Sequence, residues 1–157
     1  KPKSTVKKEA FKALQKELFL EQMVLAKELD LPVVFHCRMA HADMIEILKQ
    51  NSWVRGVIHC FTGTWEEAKQ YLDMGLYLGI NGIMYKFDLT EVIKNAPIDK
   101  LLVETDCPYL TPPKAGVERN EPSFVKYVAE SIAEVRGITF DEVASATTAN
   151  AKKLFKI

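Results

Sequence analysis

Long hydrophobic runs are missing from this sequence, whose uninterrupted apolar stretches reach no more than about five residues. A membrane-spanning helix needs roughly 20 such residues, so we expect no membrane contact of that kind. The first eight residues contain four lysines and no apolar segment, so a secretory signal is not expected either. An excess of charge is also missing, because 21 basic residues balance 21 acidic ones. This balance argues against a broad basic surface for DNA, but not against a pocket that binds a strand end.

Cysteine is scarce as well, with only Cys37, Cys60 and Cys107 in the whole sequence. An odd number without the spacing of a disulfide scaffold predicts reduced thiols and a cytoplasmic setting. What is present is ordinary for a globular protein, with 48% apolar and 27% charged residues. We therefore expect residues 1–157 to belong to one domain. No segment indicates a stable protein partner.

Apolar runs and amphipathic stretches alternate along the chain. The sequence predicts strands over 33–36, 56–60, 76–80 and 101–106, and helices over 5–29, 42–50, 65–74, a short segment ending at 95, 124–136, and two segments after 139, the last over 149–155. This alternation predicts an α/β fold with right-handed βα units on a parallel sheet.

The first predicted helix carries an apolar stripe at three- and four-residue spacing. The stripe consists of Phe11, Leu14, Leu18, Leu25 and Leu29, with lysines mostly on the opposite side. Such a stripe is typical of a helix that buries one face, so we expect these side chains to be covered.

Residues with metal-binding side chains stand at the ends of three predicted strands. His36, His59 and Asp106 occupy these positions, and Asn81 ends the remaining strand, with spacings of 23, 22 and 25 residues. Ligands bind at the carboxyl ends of parallel strands in α/β proteins. Two imidazoles and a carboxylate suit a divalent metal with an open position, so we predict a metal site there. A core role for the histidines and a turn cap by Asp106 are the structural alternatives.

Strand alternation predicts what surrounds the two histidines. If both rings face one side of the sheet, the residues two positions earlier, Val34 and Val57, fill the layer beneath them. The residues one position later, Cys37 and Cys60, then face the helices. We expect all three cysteines to be small buried hydrophobic residues.

The two carboxylates of the fourth strand have different predicted roles. Glu104 shares the face of Asp106 one layer deeper, where a carboxylate must be paired, so we expect it to support a ligand. Asp106 is either a metal ligand or the general base for a metal-activated water.

Three further residues near the strand ends are candidates for binding a phosphate. Arg38 lies two positions after His36 and offers a guanidinium, with a surface ion pair as its alternative. Thr62 and Gly63 precede a helix, where backbone N–H groups can face an anion, although a simple turn is equally consistent.

His41 begins the second helix and is expected to be exposed.

Three sequence motifs together resemble the TatD family of metal-dependent deoxyribonucleases. They are Phe35-His36-Cys37-Arg38, Ile58-His59-Cys60-Phe61-Thr62-Gly63, and Val103-Glu104-Thr105-Asp106-Cys107-Pro108-Tyr109-Leu110. The similarity runs from the first helix to Asn150-Ala151. It implies a (β/α)₈ barrel of the TIM type in which His36, His59 and Asp106 belong to the metal site.

The resemblance also implies how much of the barrel this sequence contains. A barrel of this type needs roughly 250 residues. Only four βα units and the C-terminal helices are predicted here, and the family's opening His-x-His and a later glutamate are not found. We therefore expect residues 1–157 to be the C-terminal portion of one hydrolase barrel, with two assembling halves as the alternative.

The predicted function follows from the motifs and the metal site together. We expect a hydrolase that cleaves phosphodiester bonds of DNA at a strand end, in the 3′ to 5′ direction in many relatives, with one or two divalent ions (Mg, Zn or Mn). The alternatives are an amidohydrolase-type enzyme acting on a small amide or ester, and an inactive half-barrel.

Overall fold

Four parallel strands form the centre of the molecule in a computed structural model that describes residues 5–157. The strands are β1 (Val33–His36), β2 (Gly56–His59), β3 (Tyr77–Ile80) and β4 (Leu101–Val103). The helices are α1 (Thr5–Glu28), α2 (His41–Lys49), α3 (Trp65–Asp73), α4 (Thr90–Asn95), α5 (Val125–Arg136) and α6 (Phe140–Phe155). Short 3₁₀ turns lie at Gly82–Tyr85, Ile98–Lys100, Pro113–Ala115 and Pro122–Phe124. The predicted α/β class and parallel sheet are confirmed.

The strands stand in the same order in the sheet as in the sequence. Each strand pairs with the one before it, with His36 opposite His59 and Ile80 opposite Val103. This sequential order is the winding of a β/α barrel, whereas doubly wound sheets reverse direction near their middle. Among the described residues the sheet is open, and β1 and β4 are its two edges.

The main hydrophobic core lies between the sheet and the helices. Alternate strand residues point into it, including Phe35, Ile58, Leu78 and Leu101, all almost completely buried. The opposite face of the sheet has a smaller cluster in which Leu154 of α6 packs with residues of β2, β3 and β4. Because successive side chains of a strand point to opposite faces, His36 and His59 share this second face with the residues two positions before them, Val34 and Val57.

Two predictions about burial were wrong. Val57 is buried as predicted, but Val34 does not fill a layer beneath His36, because its side chain is 55% exposed at the sheet edge. The predicted stripe of α1 is also exposed, with every member more than half accessible. Instead, α1 packs through Phe19 and through Met23, which is 1% exposed. Within the described residues, no surface packs against the exposed apolar stripe of α1.

The C-terminal helix is longer than the sequence predicted. Thr139 and Glu142 form a capping box at its start, and the helix then continues without a break to Phe155. Asn150, predicted near a new helix start, donates from Nδ2 to the carbonyl oxygens of Ile98 at 2.8 Å and Leu101 at 2.7 Å. These buried bonds attach α6 to the beginning of β4, and this tertiary contact outweighs the weak helix propensity of the preceding threonines.

None of the helices within residues 5–157 combines the length and the apolar character that crossing a membrane requires.

Candidate metal centre

The two strand-end histidines lie side by side at the carboxyl edge of the sheet. His36 and His59 are register partners on β1 and β2, and their ring centroids are 5.8 Å apart. The structure therefore brings these two predicted residues together. Each lies at a strand end because a short β-branched or aromatic run precedes it and packs against the helices.

His59 lies between two carboxylates that reach it from the segment after β4. Its Nδ1 is 2.8 Å from Oε1 of Glu104, and its Nε2 is 3.2 Å from Oδ1 of Asp106. All three side chains are partly buried. The predicted strand was too long, since β4 ends at Val103, but the Glu104 N–H still donates to the Ile80 carbonyl at 3.0 Å and keeps the two carboxylates on one side.

Glu104 is held by two hydrogen bonds beside its contact with His59. Its Oε1 accepts the backbone N–H of Cys60 at 2.7 Å and the side-chain Nδ2 of Asn81 at 3.2 Å. Gly79 makes room for the carboxylate, because a Cβ at that position would lie 2.8 Å from Oε2.

The contacts of His59 indicate which of its nitrogens carries a proton. A carboxylate oxygen can only accept, and Nδ1 has the shorter contact, 2.8 Å from Glu104 against 3.2 Å from Nε2 to Asp106, which favours a proton on Nδ1. In neutral imidazole the other nitrogen, Nε2, then presents a lone pair, and it faces a carboxylate oxygen of Asp106 at 3.2 Å. Two lone-pair atoms at this distance attract a cation between or beside them, either a proton or a metal ion. The donor set thus fits a divalent metal, with Glu104 orienting the ring as carboxylates do behind metal-bound histidines.

The described residues do not complete such a site by themselves. No group of three or more His, Cys, Asp or Glu side chains within residues 5–157 is arranged to hold a metal ion as it stands. His59 and Asp106 form the convergent pair, and His36 is the neighbouring imidazole. These are the residues that could hold a metal, as a partial set.

The candidate phosphate-binding residues lie near the site without forming an anion pocket among themselves. Arg38 is exposed and lines a groove of about 490 Å³ between α1, the end of β1 and α2. Thr62 and Gly63 are partly buried just before α3. The N-terminus of α3 already has acidic partners, because Thr64 N–H donates to Glu67 at 2.8 Å in a capping box.

His41 is buried, and the prediction that it is exposed was wrong. It is 7% exposed, and its Nδ1 lies 3.0 Å from the hydroxyl of Tyr71, while its Nε2 lies 3.4 Å from Oγ1 of Thr62. Burial lowers the pKa of His41 below its ordinary value of 6.5. Sequence reasoning missed this contact because the partner tyrosine comes 30 residues later on another helix.

The cysteines differ from one another in exposure. Cys37 is buried in the main core as predicted, Cys60 is partly buried, and Cys107 is exposed, contrary to prediction. Burial raises the pKa of both Cys37 and Cys60, so their thiols stay protonated at neutral pH. Cys107 lies beyond the end of β4, where strand alternation no longer determines the direction of a side chain.

The loop after β4 is fixed by a buried asparagine. Asn120 donates from Nδ2 to the carbonyl oxygens of Tyr109 at 2.6 Å and Leu110 at 3.3 Å, and its backbone N–H donates to Pro108 at 3.0 Å. The Leu110 carbonyl lies directly over Gly82, at a place that a Cβ would occupy. Asn120 thus holds the loop that follows Asp106.

Three residues other than glycine have a positive φ in the loops that follow the candidate metal residues. Met39 (φ 55°), Cys60 (φ 49°) and Leu110 (φ 55°) lie within four residues of His36, His59 and Asp106, respectively. Residues other than glycine adopt this left-handed conformation at a cost, and such residues cluster at functional sites. At Cys60 the consequence is visible, since its N–H is the one bonded to Glu104.

Comparisons with known proteins match nearly the whole chain. The family model described as TatD related DNase matches residues 3–156. The chain belongs to this family. The TatD relatives include the uncharacterized metal-dependent hydrolase YabD of Bacillus subtilis (strain 168), which is 50% identical over 151 residues, covering 93% of this chain and 59% of that protein. The 3′-5′ ssDNA/RNA exonuclease TatD of Citrobacter rodentium (strain ICC168) is 41% identical over 155 residues, covering 91% and 58%.

Solved structures of TatD proteins share the fold described above. The TatD homologue YJJV of Escherichia coli K12 superimposes with a TM-score of 0.85 at 30% identity, covering 92% of this chain and 57% of that one. A TatD family hydrolase from Entamoeba histolytica gives a TM-score of 0.77 at 29% identity, covering 85% and 54%. The chain thus spans a little over half the length of the relatives it matches.

Proposed function

We propose that residues 1–157 are the C-terminal portion of a TatD-type barrel that hydrolyses phosphodiester bonds at the end of a DNA strand. The observation that supports this most strongly is the pairing of His59 Nε2 with Asp106 Oδ1 at 3.2 Å, at the carboxyl edge of the parallel strands. Relatives named metal-dependent hydrolase and 3′-5′ ssDNA/RNA exonuclease support the reaction class and the substrate.

The proposed metal ligands are His36, His59 and Asp106, with one or two divalent ions (Mg, Zn or Mn). A divalent ion held there supplies an activated water and neutralises charge on the phosphoryl oxygens. Glu104, 2.8 Å from Nδ1 of His59, would orient the ring so that Nε2 faces the ion. Asp106 has a second carboxylate oxygen, which can accept a proton from the attacking water.

The rest of the barrel would supply what these residues lack. The chain covers 59% of YabD, and we expect the uncovered part of such a relative to contribute further strands and further ligands. Those strands would extend the sheet from its open edges and cover Val34, which is 55% exposed. They would also give the exposed stripe of α1 a surface to pack against.

We propose that Arg38, together with the Thr62-Gly63 turn, binds a phosphate of the substrate.

The experiment is digestion of a 5′-labelled single-stranded oligonucleotide with Mg²⁺ or Mn²⁺, beside the same reaction with EDTA. We expect stepwise shortening that EDTA abolishes, and loss of the products in Asp106→Asn. The matched control is Asp73→Asn, because Asp73 is an exposed carboxylate at the far end of α3. Digestion that EDTA and Asp106→Asn leave unchanged would refute the proposed metal-dependent nuclease.

A second candidate is hydrolysis of a small amide or ester at the same site. It is favoured by the charge distribution, since Lys12 pairs with Asp43 at 2.8 Å and Lys114 with Glu134 at 2.7 Å, which reduces the basic surface available to DNA. Turnover of small amides and lactones without turnover of oligonucleotides would support it. Absence of both activities together with absence of metal binding would indicate an inactive half-barrel.

A further inference from the structure

Asn81 directly follows β3, where the other strands have a metal-binding residue. Its side chain is the most completely buried polar group near the candidate metal centre. Asn81 is 0% exposed. Its Nδ2 donates to Oε1 of Glu104 at 3.2 Å, and its Oδ1 accepts the backbone N–H of Ile83 at 2.9 Å. Oδ1 also faces the thiol of Cys60 at 3.6 Å. Every polar atom of this side chain therefore has a partner.

These partners fix the orientation of the Asn81 amide. The Ile83 N–H can only donate, so the atom that it reaches must be the carbonyl oxygen, and the amide nitrogen must point to Glu104. The turn that follows β3 thus determines where the donor lies. Rotating the amide would place its oxygen against the carboxylate and its nitrogen against a backbone donor, which loses both bonds.

The neighbouring glycine leaves the space that this arrangement needs. A Cβ on Gly79 would lie 2.8 Å from Oε2 and 2.9 Å from Cδ of Glu104. The carboxylate is therefore bounded on one side by the backbone of β3, and its Oε1 is bonded to Asn81 and to the Cys60 N–H. Only one further contact of Oε1 remains, the 2.8 Å contact with His59 Nδ1.

We infer that Asn81 is a positioning residue, which holds the Glu104 carboxylate against Nδ1 of His59 so that the ring presents Nε2 toward Asp106. Asn81 acts through Glu104 and is not itself a proposed ligand of substrate or metal. This arrangement is present in the metal-free chain, where we expect it to favour the Nδ1–H tautomer. Only the expected effect on metal affinity depends on the proposed function.

The sharpest variant is Asn81→Ser. A serine hydroxyl at this position can still accept from the Ile83 N–H as an ST turn, but it is too short to reach Glu104. The variant thus preserves the turn and removes the donor. Asn81→Asp is the second variant, because it keeps the acceptor for Ile83 and places an acceptor where Glu104 had a donor. The matched control is Asn51→Ser, which removes a bond from Nδ2 to the Ile47 carbonyl at 2.8 Å, far from the site.

The primary readout is the tautomer of His59 in ¹⁵N-labelled, metal-free protein at pH 8.5, from long-range ¹H–¹⁵N spectra assigned with His59→Gln. In the wild type and Asn51→Ser we expect a protonated Nδ1 and an unprotonated Nε2. In both Asn81 variants we expect the ¹⁵N chemical shifts of Nδ1 and Nε2 of His59 to move toward each other, because the Nε2–H tautomer becomes populated. Wild-type shifts of His59 in both variants would overturn the inference, and so would an equal change in Asn51→Ser.

Metal titration by calorimetry provides the second readout. Loss of a supporting contact behind a metal ligand typically lowers metal affinity by roughly 10- to 100-fold, and we expect about 10-fold for Asn81→Ser because two donors to Glu104 remain. Unchanged affinity in Asn81→Ser alongside reduced affinity in Glu104→Gln would also overturn the inference. Absence of metal binding in the wild type would refute the proposed function, and the tautomer measurement would still decide the role of Asn81.

Discussion

Replacing Glu104 by glutamine tests the hydrogen-bond network that orients His59. The substitution keeps the size of the side chain and removes its charge. Oε1 accepts from His59 Nδ1 at 2.8 Å, Cys60 N–H at 2.7 Å and Asn81 Nδ2 at 3.2 Å. A glutamine oxygen can still accept from these donors, but its amide nitrogen must take the place of Oε2 beside Gly79.

The cost can be estimated from these three contacts. Hydrogen bonds to a charged group contribute about 1.5–3 kcal/mol each, and neutral ones about 0.5–1.5 kcal/mol. Glu104 is partly buried, so we take the lower part of the range for the difference between a charged and a neutral hydrogen bond. Summed over the three contacts, the loss is on the order of 2 kcal/mol of unfolding free energy. The metal affinity should fall by about 10- to 100-fold, because a neutral amide supports the His59 ring less strongly than a carboxylate does.

Two assays separate these effects. Urea denaturation followed by the fluorescence of Trp53 and Trp65 gives the unfolding free energy, and calorimetric titration gives the metal affinity. The control is Glu46→Gln on α2, an exposed carboxylate for which no partner is described. If Glu104→Gln matches the wild type in both assays, the network does not orient His59 and the reasoning is refuted.

Further variants test the glycine, the buried histidine and the first helix. Gly79→Ala should lower metal affinity in the same calorimetric titration, because its Cβ displaces the Glu104 carboxylate. Burial lowers the pKa of His41, so the folded protein should lose stability as the pH falls below 6.5, where the unfolded chain takes up the proton. His41→Gln should lack that dependence in urea denaturation at pH 5.5 and 7.5. In α1, Met23→Ala should cost about 2–5 kcal/mol, whereas Leu18→Ala, more than half exposed, should cost about 0.5 kcal/mol or less.

Local sequence patterns predicted the order of the elements. The runs before His36 and His59 became strands, and the Thr139–Glu142 capping box began a helix, because short-range sterics and hydrogen bonds determine these features. The exposure of the α1 stripe could not be predicted in this way. An amphipathic pattern identifies an apolar face, but it does not say whether the same chain covers that face.

The candidate site was predictable where strand position alone brings residues together. His36 and His59 end β1 and β2 in register with each other, and Asp106 follows the end of β4 by three residues and reaches His59. The contacts of Asn81 and His41 were not predictable, because each depends on a partner 20 to 30 residues away whose side-chain direction is set by packing. A signal for Asn81 existed in its position, since it ends the one strand without a metal-type residue.

The central claim is that His59 and Asp106 take part in binding a divalent ion. Equilibrium dialysis against Zn²⁺ or Mn²⁺, followed by elemental analysis, measures this directly in the wild type, His59→Ala, Asp106→Asn and the Asp73→Asn control. The account predicts bound metal in the wild type and the control, and its loss in the other two variants. Equal metal content in all four proteins, or none in the wild type, would contradict it.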